Sequence, residues 1–304
     1  MAFGSQSRLR VGGRYALATY EDLDLDFDTI SGSVAFERSL SSASRVSLNF
    51  STASTEYDNT TLAADYEQQE AFVRYDVTGA RTALVIDLGY TTIDGDAVSD
   101  EKQDGLLLRL DATRRVTPSS TARLAVGREF ANSATAFSGL QGVGGIGLGT
   151  TPGAQTAQPF TNDSATLAWD FARNRTGVGL FAYWSEQSYE GAAAAQDQTL
   201  MSYGTQFTRE MSPQTSLNLL AQYTQAEFDL PNSDYEELTG GLAFSWQMSK
   251  RVSLTAAYDY FRRSSDQFAG DDAIENRYTL SIAYGRGELR NRLAGPEFAV
   301  DTGR

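Results

Sequence analysis

The sequence predicts an all-β protein, a closed antiparallel up-and-down transmembrane β-barrel of about fourteen strands. Three observations lead to this fold class. Apolar and polar residues alternate over many segments, long and short connections between those segments also alternate, and acidic and basic residues separate into the long and the short connections. Alternation gives each strand one apolar and one polar face, and a tilted strand of about 9–11 residues is long enough to cross a membrane.

The individual strands follow from this alternation. In residues 251–261, for example, Val252, Leu254 and Tyr258 point to one face, whereas Ser253 and Thr255 point to the other. Strands of this kind are predicted with centres near residues 14, 34, 49, 72, 86, 109, 125, 168, 181, 205, 220, 243, 256 and 280. They are longer than the roughly 5–6 residues that are usual in soluble sheets. The even number of strands brings both chain ends to the same rim of the barrel.

The connections divide into two kinds that differ in length and charge. Odd-numbered strands are followed by the long connections 21–29, 54–66, 94–104, 131–163, 186–197, 227–237 and 266–275, and even-numbered strands are followed by tight turns. The long connections contain 26 acidic residues and a single basic one, Lys102, whereas the tight turns are rich in arginine. Short turns on one rim and long loops on the other are typical of bacterial outer-membrane barrels. The short turns are therefore expected to be periplasmic and the acidic loops extracellular.

The composition excludes several classes of function. The 304 residues carry a net charge of −14 and include neither cysteine nor histidine. The negative charge argues against nucleic-acid binding through phosphate neutralisation. Without histidine and cysteine, a Ser-His-Asp hydrolase, a zinc protease or a cysteine nucleophile is excluded. We therefore expect no enzymatic activity and no resident cofactor or metal.

A soluble β-sandwich or propeller is the alternative fold, because its strands alternate too. The sequence has no apolar run of about 18 residues and no apolar segment of a signal peptide near its start. By themselves, these two absences would suggest a soluble protein. However, its polar face is rich in Gly, Ser, Thr and Ala, and aromatic residues lie towards the strand ends on its apolar face. These features favour a barrel lumen and an interfacial aromatic girdle. No repeat of about 40 residues indicates propeller blades.

Charged residues on the polar face of the strands are the candidate pore lining. They are Arg10, Arg14, Glu37, Arg45, Arg74, Asp76, Asp87, Arg109, Asp111, Arg123, Glu129, Asp170, Asp259, Arg263 and Arg277. One interpretation is a lining that sorts solutes by charge and hydrogen bonding. The other is a set of cross-strand ion pairs that stabilises the lumen, for instance among Arg74, Asp76, Asp87, Arg109 and Asp111. Both can hold at once, because buried charges need partners.

Two kinds of loop are candidate functional segments. The longest connection, 131–163, either folds inward and constricts the pore or lies outside it, since connections longer than about 12–15 residues are usually functional or disordered. The acidic stretches 22–28, 94–104, 229–237 and 266–272 could bind Ca²⁺ or Mg²⁺ diffusely through carboxylate oxygens, although none matches the twelve-position calcium loop. The same carboxylates could be bridged by divalent cations to lipopolysaccharide phosphates.

The chain resembles a known class of membrane protein. The alternating segments and turns such as RRVTPSSTAR are similar to those of Gram-negative outer-membrane β-barrels. More narrowly, segments such as MSKRVSLTAAYDYFRRSS and SPQTSLNLLAQYTQAEFDL look like those of the β-barrel porins that accompany exopolysaccharide secretion loci. The resemblance implies a multi-pass barrel in the outer membrane, with membrane lipid, lipopolysaccharide and the barrel assembly machinery as partners. Residues 1–285 are assigned to the barrel and 286–304 to a periplasmic tail.

Three functional hypotheses follow from the predicted fold. The first is a porin-like channel for passive passage of small solutes or for export of a polysaccharide. The second, an outer-membrane enzyme, is disfavoured by the lack of histidine. The third is a non-conducting structural or adhesive barrel whose acidic loops bind partners or divalent cations.

Overall fold

Fourteen β-strands make up the structure. This computed structural model describes residues 6–18, 26–58, 65–95, 103–131, 160–189, 197–229, 233–265 and 272–284. The strands are β1 (Ser7–Ala18), β2 (Phe27–Ser39), β3 (Ser44–Tyr57), β4 (Tyr66–Thr78), β5 (Thr82–Gly95), β6 (Gln103–Thr117), β7 (Ser120–Ala131), β8 (Phe160–Arg173), β9 (Thr176–Tyr189), β10 (Gln198–Ser212), β11 (Thr215–Phe228), β12 (Tyr235–Ser249), β13 (Val252–Ser265) and β14 (Ala273–Tyr284). Each predicted strand centre falls inside the corresponding strand. Within the described ranges, no helix is long and apolar enough to cross a membrane.

The strands form one antiparallel sheet whose order is the order of the sequence. Each strand from β1 to β13 pairs with the next one along the chain. This confirms the predicted all-β, up-and-down fold with fourteen strands. The pairings of the described residues do not join β1 to β14, and the side chains of β14 are exposed along its whole length. These two edge strands are where the predicted closure of the barrel has to occur.

The alternation of connection lengths is also confirmed. The even-numbered strands are followed by turns of two to four residues, at 40–43, 79–81, 118–119, 174–175, 213–214 and 250–251. The turn at 174–175 places Asn174 in the left-handed region, with φ of 55°, which asparagine adopts more readily than most residues. We call this rim the turn end of the sheet and the opposite rim the loop end. Residues 132–159, the greater part of the long connection 131–163, lie outside the described residues, as do parts of the acidic loops and the tail 286–304.

The two faces of the sheet are chemically distinct. One face, which we call the lipid face, presents large apolar side chains to the outside, among them Leu48, Leu106 and Leu167, which are 55–62% exposed. The other, the lumen face, holds buried residues such as Asp87 and Thr91, which are 0–1% exposed. Exposed apolar and buried polar side chains are the reverse of a soluble sandwich. The alternative of a soluble sheet is therefore wrong, and the lipid face is suited to hydrocarbon.

Candidate functional site

All of the predicted inward-facing charges lie on the lumen face. Their strand partners establish this, because residues directly opposite each other in a sheet share a face. Arg109, for example, lies opposite Asp87 on β5 and Gly127 on β7. The residues placed on the lumen face by such pairings are Arg10, Arg14, Glu37, Arg45, Arg74, Asp76, Asp87, Arg109, Asp111, Arg123, Glu129, Asp170, Asp259, Arg263 and Arg277. Whether they line a conducting pore stays a prediction.

The most buried ion pair of the lumen joins Arg74 on β4 to Asp87 on β5. Arg74 donates two hydrogen bonds, from Nε to Oδ1 and from Nη2 to Oδ2 of Asp87, both of 2.7 Å. The Asp87 side chain is 2% exposed, whereas 43% of the Arg74 side chain remains accessible. The carboxylate is thus held at the wall while the guanidinium faces the lumen. A bidentate pair of this kind is among the stronger charge-assisted contacts.

Arg109 on β6 joins two acids on two other strands. Its Nε donates to Glu129 on β7 at 2.6 Å and its Nη2 to Glu70 on β4 at 3.2 Å. The sequence reasoning missed Glu70, although its position shares the alternation of Arg74 and would have placed it on the same face. Because Asp87, the direct cross-strand neighbour of Arg109, is bound by Arg74, Arg109 extends towards the loop end instead.

An aromatic ring lies between these two ion pairs. Phe72 on β4 faces Gly89 on β5, where a Cβ atom would come within 2.4 Å of the Phe72 Cβ and 2.2 Å of the Ala71 carbonyl oxygen. The guanidinium carbons of Arg74 and Arg109 lie 5.6 and 5.9 Å from the centre of the Phe72 ring. Glycine at position 89 therefore makes room for a ring that both arginines contact in cation–π fashion.

More exposed ion pairs continue the charged wall. The distances are 2.6 Å for Arg10–Glu37, 3.1 Å for Arg45–Asp76, 2.6 Å for Arg123–Asp111, 3.7 Å for Arg263–Glu237 and 2.7 Å for Arg277–Glu275. The first four contacts support the interpretation in which lumen charges are paired across strands, whereas Arg277 and Glu275 both lie on β14. Arg14, Asp170 and Asp259 lie on the same face outside these pairs.

The lumen face of β8 to β11 is neutral over most of its length. Asp170 and Glu210 are its only charged residues there within the described ranges, and both lie towards the turn end. Elsewhere its polar side chains hydrogen-bond to each other: Ser185 donates to Asn162 at 2.9 Å, and the hydroxyls of Ser202 and Thr224 lie 3.0 Å apart. The lumen thus has one wall of paired charges and one wall of hydroxyl and amide groups.

Some acidic residues of the long loops have a structural role. Asp65, Asp197, Asp234 and Asp272 each directly precede a strand and accept a hydrogen bond from the backbone N–H of the last residue of the preceding strand, at 2.7–3.2 Å. These carboxylates hold the loop ends of four hairpins together. Within the described part of the chain, no group of three or more potential metal-ligating side chains is present. Diffuse binding of Ca²⁺ or Mg²⁺ by the loops stays a prediction.

Comparison with known proteins shows the fold. No protein family and no curated protein matches the sequence. Among solved structures, the copper transporter OprC is similar with a TM-score of 0.57 and 10% identity, over 94% of this chain and 54% of that one. The outer membrane channel DcaP of Acinetobacter baumannii has a TM-score of 0.47 and 13% identity, over 93% of this chain and 99% of that one. A loop-deletion mutant of OmpT, an outer membrane protein of Vibrio cholerae, has a TM-score of 0.43 and 11% identity, over 92% and 99%.

The chain is a β-barrel protein of the outer-membrane type. The predicted multi-pass location in the outer membrane is confirmed by this fold and by the apolar lipid face. The chain spans about half the length of OprC. The narrower resemblance to porins of exopolysaccharide loci is not confirmed, because no family matches.

The expectation that the chain is not an enzyme needs correction. It was drawn from the missing histidine alone, and the fold that the chain shares with OprC, at 10% identity, does not support that step. A fold of this kind does not by itself separate enzymes from channels. The missing histidine excludes only those sites that depend on histidine.

Proposed function

We propose that the chain forms a water-filled outer-membrane channel that passes small hydrophilic solutes or a polysaccharide in transit. The observation that carries this proposal is the polar lumen face. It contains many charged side chains, and most of them form ion pairs with residues on neighbouring strands. Arg45 and Arg123, for example, keep about half of their side-chain surface accessible while bound to an acid. A lining of this kind favours water and polar solutes over lipid.

The two different lumen walls suit a polyhydroxylated solute. The hydroxyl and amide groups of β8 to β11 can exchange hydrogen bonds with sugar hydroxyls, as Ser202, Gln222 and Thr224 now do with one another. The opposite wall presents arginine side chains whose carboxylate partners lie deeper, as in the Arg74–Asp87 pair. Hydrogen-bonding groups and charges that line a pore determine which solutes it admits.

Conductance in a planar lipid bilayer tests the proposal. Purified protein that shifts in mobility between unboiled and boiled gel samples, as a folded barrel does, should insert and give discrete current steps. Addition of neutral dextran oligomers of increasing size should then reduce the current until the oligomers are too large to enter. A folded protein that inserts but gives no current would contradict the proposal.

A non-conducting barrel is the second candidate, and one observation favours it. Tyr57, Tyr66, Ile93 and Phe130 form a buried cluster at the loop end, each less than 9% exposed. This cluster, together with the loop 131–163, would narrow the entrance. In that case deletion of residues 135–155 should turn a silent barrel into a conducting one, whereas a channel that is already open should change little. Both proposals include lipopolysaccharide and the barrel assembly machinery as partners. Both also assign residues 286–304 to a periplasmic tail.

A further inference from the structure

At the turn end of the lipid face, the described residues include a row of basic side chains with no acid beside them on that face. Arg173 on β8 lies opposite Thr176 on β9, and Thr176 lies opposite Arg209 on β10. Both arginines are exposed. The two-residue turn 174–175 sets the first pairing and adds a third exposed arginine, Arg175, at its tip. We call Arg173, Thr176 and Arg209 the basic row.

The basic row is arranged to hold an anion. Arg209 donates a hydrogen bond from Nη1 to the hydroxyl of Thr176, which directs its guanidinium towards β8 and Arg173. The Thr176 hydroxyl, having accepted this bond, keeps its own O–H to donate. Because neighbouring strands lie about 4.8 Å apart, the two arginines are separated by about 10 Å of sheet with the hydroxyl between them. One phosphate group placed over Thr176 is within reach of both guanidinium groups.

Among the residues that the structure describes, no acid beside the basic row lies on its own face. The nearest acids in sequence are Asp170 and Glu210, and both lie on the lumen face. The acids that share the lipid face on these strands, Asp163 and Glu186, are ten residues away from Arg173 and Thr176, at the loop end. Ten residues of strand are about 33 Å long, and at a tilt of about 40° they rise about 25 Å across the membrane, which matches the apolar band of an outer-membrane barrel. Acids and basic row therefore lie on opposite sides of the hydrocarbon.

Aromatic side chains lie just inside the basic row, towards the apolar band. Trp169 and Phe171 precede Arg173 on the same face, with ring centres 6.0 Å apart and planes inclined by 16°. Phe207 precedes Arg209 in the same way on β10. Aromatic side chains mark the level of the headgroups on membrane proteins. The basic row is thus at headgroup depth on the turn end, which faces the periplasmic leaflet.

We propose that the basic row is a binding site for an anionic glycerophospholipid of the periplasmic leaflet. The headgroup phosphate lies over Thr176 between the two arginines, and the acyl chains run along Trp169, Phe171 and Phe207. A headgroup with net negative charge is favoured over a zwitterionic one, because the described acids beside the row lie on the lumen face. Each basic residue at an anionic surface contributes about 1 kcal/mol, or about a five-fold change in binding. This site is independent of whether the barrel conducts.

Fluorescence quenching of Trp169 by brominated lipids tests the proposal. A full-length W184F/W246F variant keeps Trp169 as its single tryptophan. In phosphatidylcholine vesicles, brominated phosphatidylglycerol should quench Trp169 several-fold more effectively than brominated phosphatidylcholine at the same low mole fraction. The advantage should disappear in R173Q/R209Q, because each arginine contributes up to about a five-fold preference. Equal quenching by the two lipids in the otherwise native chain would overturn the proposal.

A matched control separates this site from a general effect of charge. Arg128, which lies 3.7 Å from Asp163, and Arg262 are exposed arginines of the lipid face at the loop end. R128Q/R262Q therefore removes the same formal charge from the opposite leaflet. It should leave the preference for phosphatidylglycerol unchanged, and an equal loss in both double variants would overturn the proposal. If R173Q/R209Q fails the gel test of folding, native mass spectrometry of the unmutated barrel decides. From an equimolar detergent mixture, retention of phosphatidylglycerol supports the site, and equal retention of phosphatidylcholine contradicts it.

Discussion

Asp87→Asn tests whether the lumen ion pairs stabilise the barrel. The substitution keeps the shape of the side chain but removes the negative charge that receives both hydrogen bonds from Arg74. One of the two guanidinium N–H groups then faces an amide NH₂ group instead of a carboxylate oxygen. Arg74 therefore loses one of its two hydrogen bonds and the opposite charge that it faced at the lumen wall.

The burial of the two partners determines the expected magnitude. Removing one partner of a fully buried ion pair costs about 3–5 kcal/mol, whereas an exposed pair contributes about 0.2–1 kcal/mol. Asp87 is 2% exposed but Arg74 is 43% exposed and can turn to water. We therefore expect a loss of about 2–3 kcal/mol for Asp87→Asn, between these limits. Asp111→Asn is the matched control, because Asp111 and its partner Arg123 are 42% and 49% exposed, and it should cost below about 1 kcal/mol.

Urea unfolding of the barrel in lipid vesicles measures these free energies, with the folded fraction read from the mobility of unboiled samples. In the R74M background, Asp87→Asn should cost much less than in the native chain, since the charge it would leave without a partner is already gone. Equal losses for the variants of Asp87 and Asp111, or the same loss with and without Arg74, would refute the reasoning.

Three other outcomes are expected from the same structure. Leu167→Arg places a charge on the lipid face near the middle of β8 and should lower the free energy of urea unfolding by about 2–4 kcal/mol. Thr166→Arg, on the lumen face, should lower it much less. The opposite order would mean that the two faces are inverted. Gly89→Ala brings a Cβ to 2.2 Å from the Ala71 carbonyl oxygen and should destabilise the barrel by about 1–3 kcal/mol through overpacking, so a variant of unchanged stability in that assay would disprove the close approach. Neutralising the acids of loop 94–104 should weaken the cation preference, measured as bilayer reversal potentials at low salt, and leave the conductance at high salt nearly unchanged. The reason is that the field of charges at the exposed loop end is screened over about 8 Å at physiological salt. A preference that changes neither with salt nor with loop charge would show that it does not arise at the loop end.

The sequence by itself determined the strands and their faces. Alternation with a period of two is a local property, so parity along one strand is enough to place Leu167 on one face and Thr166 on the other. For the same reason every charge predicted to face inward, from Arg10 to Arg277, lies on the lumen face. The long and short connections were visible because turn residues and acidic stretches interrupt the alternation.

Only the tertiary structure decided which charges bind each other. Arg74 and Arg109 both lie opposite Asp87 in the sheet, and parity gives no reason to prefer one of them. In the structure, Arg74 binds Asp87, whereas Arg109 binds Glu129 and Glu70. Glu70 is 39 positions away from Arg109 along the chain. The choice depends on how adjacent strands are staggered and on the space that glycine leaves at position 89, and both arise between strands. In the same way the basic row exists only because a two-residue turn brings Arg173 opposite Thr176 and the next strand brings Arg209 to its other side.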